Sequence, residues 1–259
     1  MSTAPTKIIG IHGLVLRRSP LGETDQIITV YTEQLGKIRV TARGSLRAKS
    51  AWRGRFEPFH QIEAEIFRSS KSSLFRFNHA DVITRPKVLL GHLTALNAAF
   101  LILECLDRYC EPENPNLDLY ATATAALDKI DRNPGNAVYF SLCFCFRFFV
   151  LSGYGINWSH CANCNRERAF NKSAYCIPAD GGVICTNCAG ADQKQKEWIV
   201  SADILWIVES AAAGKIIKPD EIKDMKKFSS TALRLVREIF AHHLDTIPKT
   251  LKILETSID

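Results

Sequence analysis

A chain of 259 residues, 46% of them apolar and 23% charged, has enough material for one large or two modest folded domains. That composition excludes global disorder and fibrous repeats, and no apolar run reaches the ~18 residues of a membrane helix. The formal charge of +6 is uneven: residues 1–87 hold 15 Lys+Arg against 7 Asp+Glu, while the remainder holds 18 against 20. An anionic partner, nucleic acid before any other, is therefore expected to meet the first third of the chain.

The opening MSTAPTKIIG lacks the basic-then-apolar order of a secretory signal, so a cytoplasmic protein is expected. Short β-strands are predicted next: residues 8–16, punctuated by Gly10 and Gly13; the β-branched run QIITVY at 26–31; and 37–43 after a turn at Leu35–Gly36. In the third of these, Lys37, Arg39 and Arg43 alternate with Ile38, Val40 and Ala42, so a strand would carry three cations on one face and apolar side chains on the other. Residues 61–68 alternate again, and 74–78 and 80–84 each read as a short strand. Such a set predicts a small barrel or sandwich.

Pro86 marks a boundary. Beyond it Leu89, Leu93, Leu96, Phe100, Leu103 and Leu106 recur at helical spacing, and EPENPN at 111–116 breaks that helix. A second helix is predicted over 117–131. A third starts near Asn133–Pro134–Gly135, is apolar nearly all round as a buried central helix would be, and ends at Gly153 and Gly155. A polar spacer at 192–197 and helices near 202–213 and 229–244 complete the chain. The expected organisation is a β domain over 1–85, a helical domain over 86–157 and 191–259, and a cysteine-bearing insert at 158–190.

Of nine cysteines, Cys105, Cys110, Cys143 and Cys145 lie in apolar helical patterns and read as small core residues. Cys161, Cys164, Cys185 and Cys188 form two CxxC pairs separated by 20 residues, the spacing of a tetrahedral structural Zn²⁺ site. Four thiolates leave no coordination position for water, so one structural zinc without metal-activated chemistry is expected. Gly181–Gly182 suit a hairpin that delivers the second pair. Cys176 and His160 fall off the two-plus-two spacing and read as a strand residue and a rim residue.

The second constellation is basic. Lys37, Arg39, Arg43, Arg47, Lys49, Arg53 and Arg55 occur within nineteen residues that hold no acid, with Trp52 interleaved. Cations on a strand and its following loop can neutralise phosphates, and an aromatic ring can stack on a base. Arg17–Arg18 and Arg68, Lys71 and Arg76 are candidate extensions. Walker, GxGxxG, HExxH, GxSxG and zinc-deaminase motifs are all missing, so a non-enzymatic role is expected.

The string GETDQIITVYT from Gly22, then Gly36-Lys-Ile, Ala42-Arg-Gly, Arg47-Ala-Lys-Ser and Arg53-Gly-Arg-Phe-Glu-Pro-Phe59, resembles the bacterial RecO family of DNA repair proteins. The resemblance continues around Tyr154 and through CxxC…GG…CxxC, covering most of the chain. It implies an α+β architecture: an N-terminal OB-fold β-barrel and a C-terminal all-helical domain with an inserted four-cysteine zinc element. It further implies a recombination mediator that binds single- and double-stranded DNA, anneals complementary strands, acts with RecR, and helps RecA displace single-strand DNA-binding protein. The acidic tail of that last protein is expected on the helical domain, and a nucleoid-associated cytoplasmic location follows. Two other classes stand as alternatives: an RNA-binding OB/zinc-ribbon module of the translation machinery, which would use the same basic sheet, and a zinc-dependent nuclease or deaminase, which would need the open metal position that four thiolates close.

Overall fold

Five strand-forming segments at the N-terminus close on themselves. In the computed structural model, which describes residues 8–68, 74–169, 172–177, 182–189 and 199–256, the first unit of the chain is a closed barrel. Its strands are β1 (Ile8–Leu21), β2 (Asp25–Thr32), β3 (Gly36–Ala42), β4 (Gln61–Arg68) and β5 (Phe75–Thr84), in the order β1-β2-β3-β5-β4. The parallel pairing of Val40 with Phe75 and Thr41 with Arg76 makes the β3–β5 seam, and β4 returns antiparallel to β1. Of the barrel or sandwich that the strand pattern allowed, the barrel is what forms, and it is OB-like as the resemblance implied. Residues 74–78 and 80–84 are not two strands but one, β5, paired with β4 through irregular register at Glu65/Ile66.

The barrel is filled as its period-two pattern dictates. Ile28 and Val30 of β2, Ile38 and Val40 of β3, and Ile62 and Ile66 of β4 all point inward and are buried. The chain divides into two compact units, residues 1–91 with 103–131, and residues 92–102 with 132–259. Within the first, the segment 103–131 covers part of the barrel's outside: Tyr31 meets Cys110, and the Asp107 carbonyl receives the Lys37 ammonium at 2.5 Å. Gly36 permits the close approach of this segment. Its φ is +66°, and a Cβ there would lie 2.3 Å from the Asn114 carbonyl oxygen. After β5, the three backbone N–H groups of Lys87, Val88 and Leu89 all donate to the Asp131 carboxylate at 2.8–3.0 Å.

Two further helices, α1 (Leu93–Tyr109) and α2 (Leu117–Arg132), flank the EPENPN break. In the second unit α3 (Ala137–Leu151) is the central helix, with eleven of its fifteen residues buried, including Phe140, Phe144, Phe146, Phe148 and Phe149. Counted with the preceding 3-10 turn, Pro134–Leu151 does reach membrane-span length, against the expectation that no apolar run is that long. Most of it is buried inside the protein's own fold, and that burial accounts for its apolarity. Arg147, the lone cation of this helix, turns its guanidinium to the Ala212 carbonyl at the end of α4 (Ala202–Ala212). Both α3 and α4 are followed by a left-handed glycine, Gly153 (φ +84°) and Gly214 (φ +82°). In each case the next residue's N–H reaches back, from Tyr154 to Phe149 O and from Lys215 to Ser210 O. Helix α5 (Met225–His243) starts four residues earlier than its apolar periodicity suggests, because the Asp224 side chain accepts from the Lys227 N–H and caps it. A short α6 (Lys249–Glu255), buried through Leu251 and Leu254, has no clear signal in the sequence pattern.

Candidate nucleic-acid interface and metal centre

The basic stretch begins on β3 and continues through the loop to β4. Arg39 lies on the outward face of β3, opposite Thr29 of β2, as the alternation requires. After Ala42 the chain leaves the sheet in consecutive tight turns, in which Arg47, Ser50 and Arg53 each donate a backbone N–H to a carbonyl three residues back. Trp52 and Phe56 fasten this loop to the barrel. The Trp52 ring lies 5.5 Å from Phe56 and 6.0 Å from Phe77, Phe56 stacks on Phe77 at 4.6 Å, and Trp52 Nε1 donates to the Arg43 carbonyl at 3.0 Å. Trp52, offered by the sequence as a base-stacking residue, thus packs against the core and holds the loop. The far end is held by the Phe59 N–H on Val15 O and the Val15 N–H on His60 O.

With its apolar residues turned inward, the loop turns its cations out. Arg39, Arg43, Arg47, Lys49 and Arg53 are exposed, and none makes a hydrogen bond or ion pair with another side chain among the described residues. The other two predicted residues are engaged. Lys37 holds the Asp107 carbonyl, and Arg55 donates to the Ala80 carbonyl and to Asp81 Oδ1 at 2.6 Å. His79, and behind it Arg55, keep the Asp81 carboxyl below the usual carboxylate range. The candidate extensions divide the same way. Arg17 pairs with Asp107 at 2.7 Å, Arg18 with Glu57 at 2.6 Å, and Arg68 bidentately with Glu113. Arg76, beside Thr41 in the β3–β5 seam, makes no such pair among the described residues. Lys71 lies outside the described residues.

One group at this surface is not among those the sequence pattern singles out. Asp25, at the start of β2, accepts from the Gly44 N–H at 2.8 Å and from the Thr24 hydroxyl at 2.9 Å, and the Leu46 N–H donates to the Thr24 carbonyl. These two hydrogen bonds to the carboxylate, with smaller contributions from Arg43 and Arg47, hold it below the usual range. In the sequence it is an acid of the GETDQIITVYT string at a hairpin turn, which by itself points to nothing beyond the turn.

The cysteine pairs meet as their spacing predicts. The Sγ atoms of Cys161, Cys164, Cys185 and Cys188 lie within 4.8 Å of one another. Cys161 ends β6 (Asn157–Cys161), and Cys185 ends β8 (Gly182–Cys185), which pairs antiparallel with β7 (Ala174–Ile177) and parallel with β6. Each pair is bent into a tight turn, by the Asn165 N–H on Cys161 O and by the Cys188 N–H on Cys185 O. A tetrahedral ion with thiolates at about 2.3 Å sets its sulfurs roughly 3.8 Å apart, and Cys164 and Cys185 already stand at 4.0 Å. Burial disfavours the Cys161 thiolate, but the N–H groups of Cys185, Cys164 and Asn163 outweigh it and bring this thiol down to about 6. The Cys164 and Cys185 side chains push Cys188 up to about 12. Four thiols crowded together share negative charge poorly, and a divalent cation resolves the conflict. The residues fit a structural metal. His160 Nδ1 faces Ser159 Oγ at 2.9 Å on the rim, and Cys176 lies on β7; Gly181 and the polar spacer lie outside the described residues.

The four-cysteine element is fixed to its helices by groups the motif does not announce. Arg168, 8% exposed, donates to the Trp158 carbonyl and to Glu209 of α4 at 3.0 Å, and the Trp158 ring meets Phe146 of α3 edge-on at 6.0 Å. The remaining cysteines are core residues as expected. Cys105, Cys143 and Cys145 are buried, and burial pushes the Cys143 thiol up to about 12 and that of half-buried Cys110 up to about 11.

Two family models match this chain, Recombination protein O N terminal over residues 8–85 and Recombination protein O C terminal over residues 90–252. Among similar proteins is a DNA repair protein RecO from Synechococcus sp. (strain JA-3-3Ab), 27% identical over 94% of this chain and 83% of its own length. Another, from Desulforamulus reducens, is 25% identical over 96% and 94%. A third, from Bifidobacterium longum subsp. infantis, is 31% identical over 67% and 71%.

Proposed function

Because this chain belongs to the RecO family of DNA repair and recombination proteins, we propose that it is a recombination mediator that holds DNA through the exposed cations of its barrel. It binds single- and double-stranded DNA, anneals complementary strands, and with RecR helps load RecA onto gaps covered by single-strand DNA-binding protein. It does so without covalent chemistry. The observation that carries this reading is the separation of the cations into two sets, Arg39, Arg43, Arg47, Lys49 and Arg53 left exposed while Lys37 and Arg55 serve the fold.

Annealing brings two polyanions together, so an annealing protein must screen their repulsion and leave base edges free. Arg and Lys contacts to phosphate do this, since each neutralised phosphate releases counterions and none reads sequence. The metal we assign is one Zn²⁺ held by Cys161, Cys164, Cys185 and Cys188. Bound there it would supply cross-linking of the β6–β8 element, with no position left for water.

The test is annealing of complementary oligonucleotides coated with single-strand DNA-binding protein, without nucleotide, across a salt series. Acceleration that fades as salt rises is expected. No acceleration, together with tighter binding of structured RNA than of DNA, would overturn the reading in favour of a translation-associated RNA module.

A further inference from the structure

We infer that Asp25 is the positioning residue of the phosphate-binding loop, fixing its first turn so that Arg43 and Arg47 can engage one nucleic-acid backbone together. This rests on the DNA-binding reading above. An acid amid exposed cations is a poor neighbour for phosphate, since like charges there oppose binding. What this carboxylate does instead is visible in its partners. Oδ1 accepts the Gly44 N–H at 2.8 Å and the Thr24 hydroxyl at 2.9 Å, and the Leu46 N–H meets the Thr24 carbonyl at 2.9 Å. The β1–β2 hairpin thereby grips residues 44 and 46 of the loop, which lie between the two arginines.

Gly44 is left-handed, with φ +66°, and the Arg47 side chain lies over it: a Cβ at Gly44 would stand 3.4 Å from Arg47 Cδ. Trp52 Nε1 holds the Arg43 carbonyl on the other side. Arg43 and Arg47 are therefore the ends of a turn restrained at Gly44, Leu46 and Arg43. A restrained turn presents two cations at fixed separation, so less conformational freedom is lost when both meet phosphates.

Two variants separate position from charge. Asp25→Asn removes the charge and keeps an acceptor oxygen in place; Asp25→Glu keeps the charge and moves the acceptor by one methylene. Affinity for a single-stranded oligonucleotide across a salt series, with amide hydrogen exchange of Gly44 and Leu46 in the free protein, reads both effects. D25N is expected to bind at least as tightly as the native chain. D25E is expected to bind about fivefold more weakly, with a shallower salt slope and faster Gly44 exchange. D25E with native affinity, or D25N as weak as D25E, would overturn the proposal. Should D25E lose its fold, Thr24→Val removes one donor alone: faster exchange and about twofold weaker binding are expected, and native values in both overturn it. A native chain whose affinity ignores salt would fail the DNA reading itself, while Gly44 exchange in the variants still tests the clamp.

Discussion

Gly36 and Asp131 show how single residues tie the barrel to the segment beside it. Gly36 combines a left-handed φ with backbone contact at a distance no Cβ tolerates. Gly36→Ala is expected to destabilise the protein by about 2 kcal/mol, measured as a lowered urea midpoint with the slope unchanged. Asp131 is opposed by burial as an anion, yet the Leu89, Lys87 and Val88 N–H groups overcome that and leave its carboxyl below the usual range. A carboxyl lowered in the folded state contributes stability that is present above its unfolded pKa, about 3.9, and is lost as pH falls through the folded value. Unfolding free energy should therefore fall as pH drops below about 4, and Asp131→Asn should reduce that dependence. An identical pH profile in the variant would show that the three N–H groups do not depend on the charge.

Among the elements, legibility follows the range of the physics. The barrel strands are readable because inward and outward residues alternate on a period set by the backbone, as at Ile38, Arg39 and Val40. The ends of α3 and α4 are readable because only glycine takes the left-handed turn cheaply. The four cysteines are readable because ligand spacing is local. What stays hidden depends on contacts distant in sequence. That Lys37 and Arg55 are occupied depends on Asp107 and Asp81, 70 and 26 residues away. The ring of Trp52 turns inward because Phe77 waits there, and the Arg168–Glu209 pair spans 41 residues. For the metal element, chelation or Cys161→Ser should release one zinc and redden Trp158 emission, as the ring buried on Phe146 gains water. DNA affinity should change less than about twofold, an order-of-magnitude expectation from the closed ligand set. A folded Cys161→Ser protein with a full zinc equivalent would show that the ligand set is another.

Across the chain as a whole, the positive surplus of residues 1–87 resolves into cations paired within the first unit and cations without a side-chain partner among the described residues. Arg17, Arg18, Lys37, Arg55 and Arg68 are bound to acids or carbonyls of the same unit. The second unit carries the four-cysteine element and the aromatic core around α3. Net charge alone counts both sets of cations equally; the unpaired set can meet phosphate and release counterions without first breaking an ion pair.

If the exposed set meets phosphate, salt dependence must report it. Affinity for DNA should be recorded against salt concentration for the native chain and for Arg43→Glu/Arg47→Glu. Weaker binding to every sequence tried is expected, with a slope of log affinity against log salt shallower by roughly two, one phosphate contact for each arginine. A variant that keeps the native slope would contradict this and place the DNA site elsewhere on the protein.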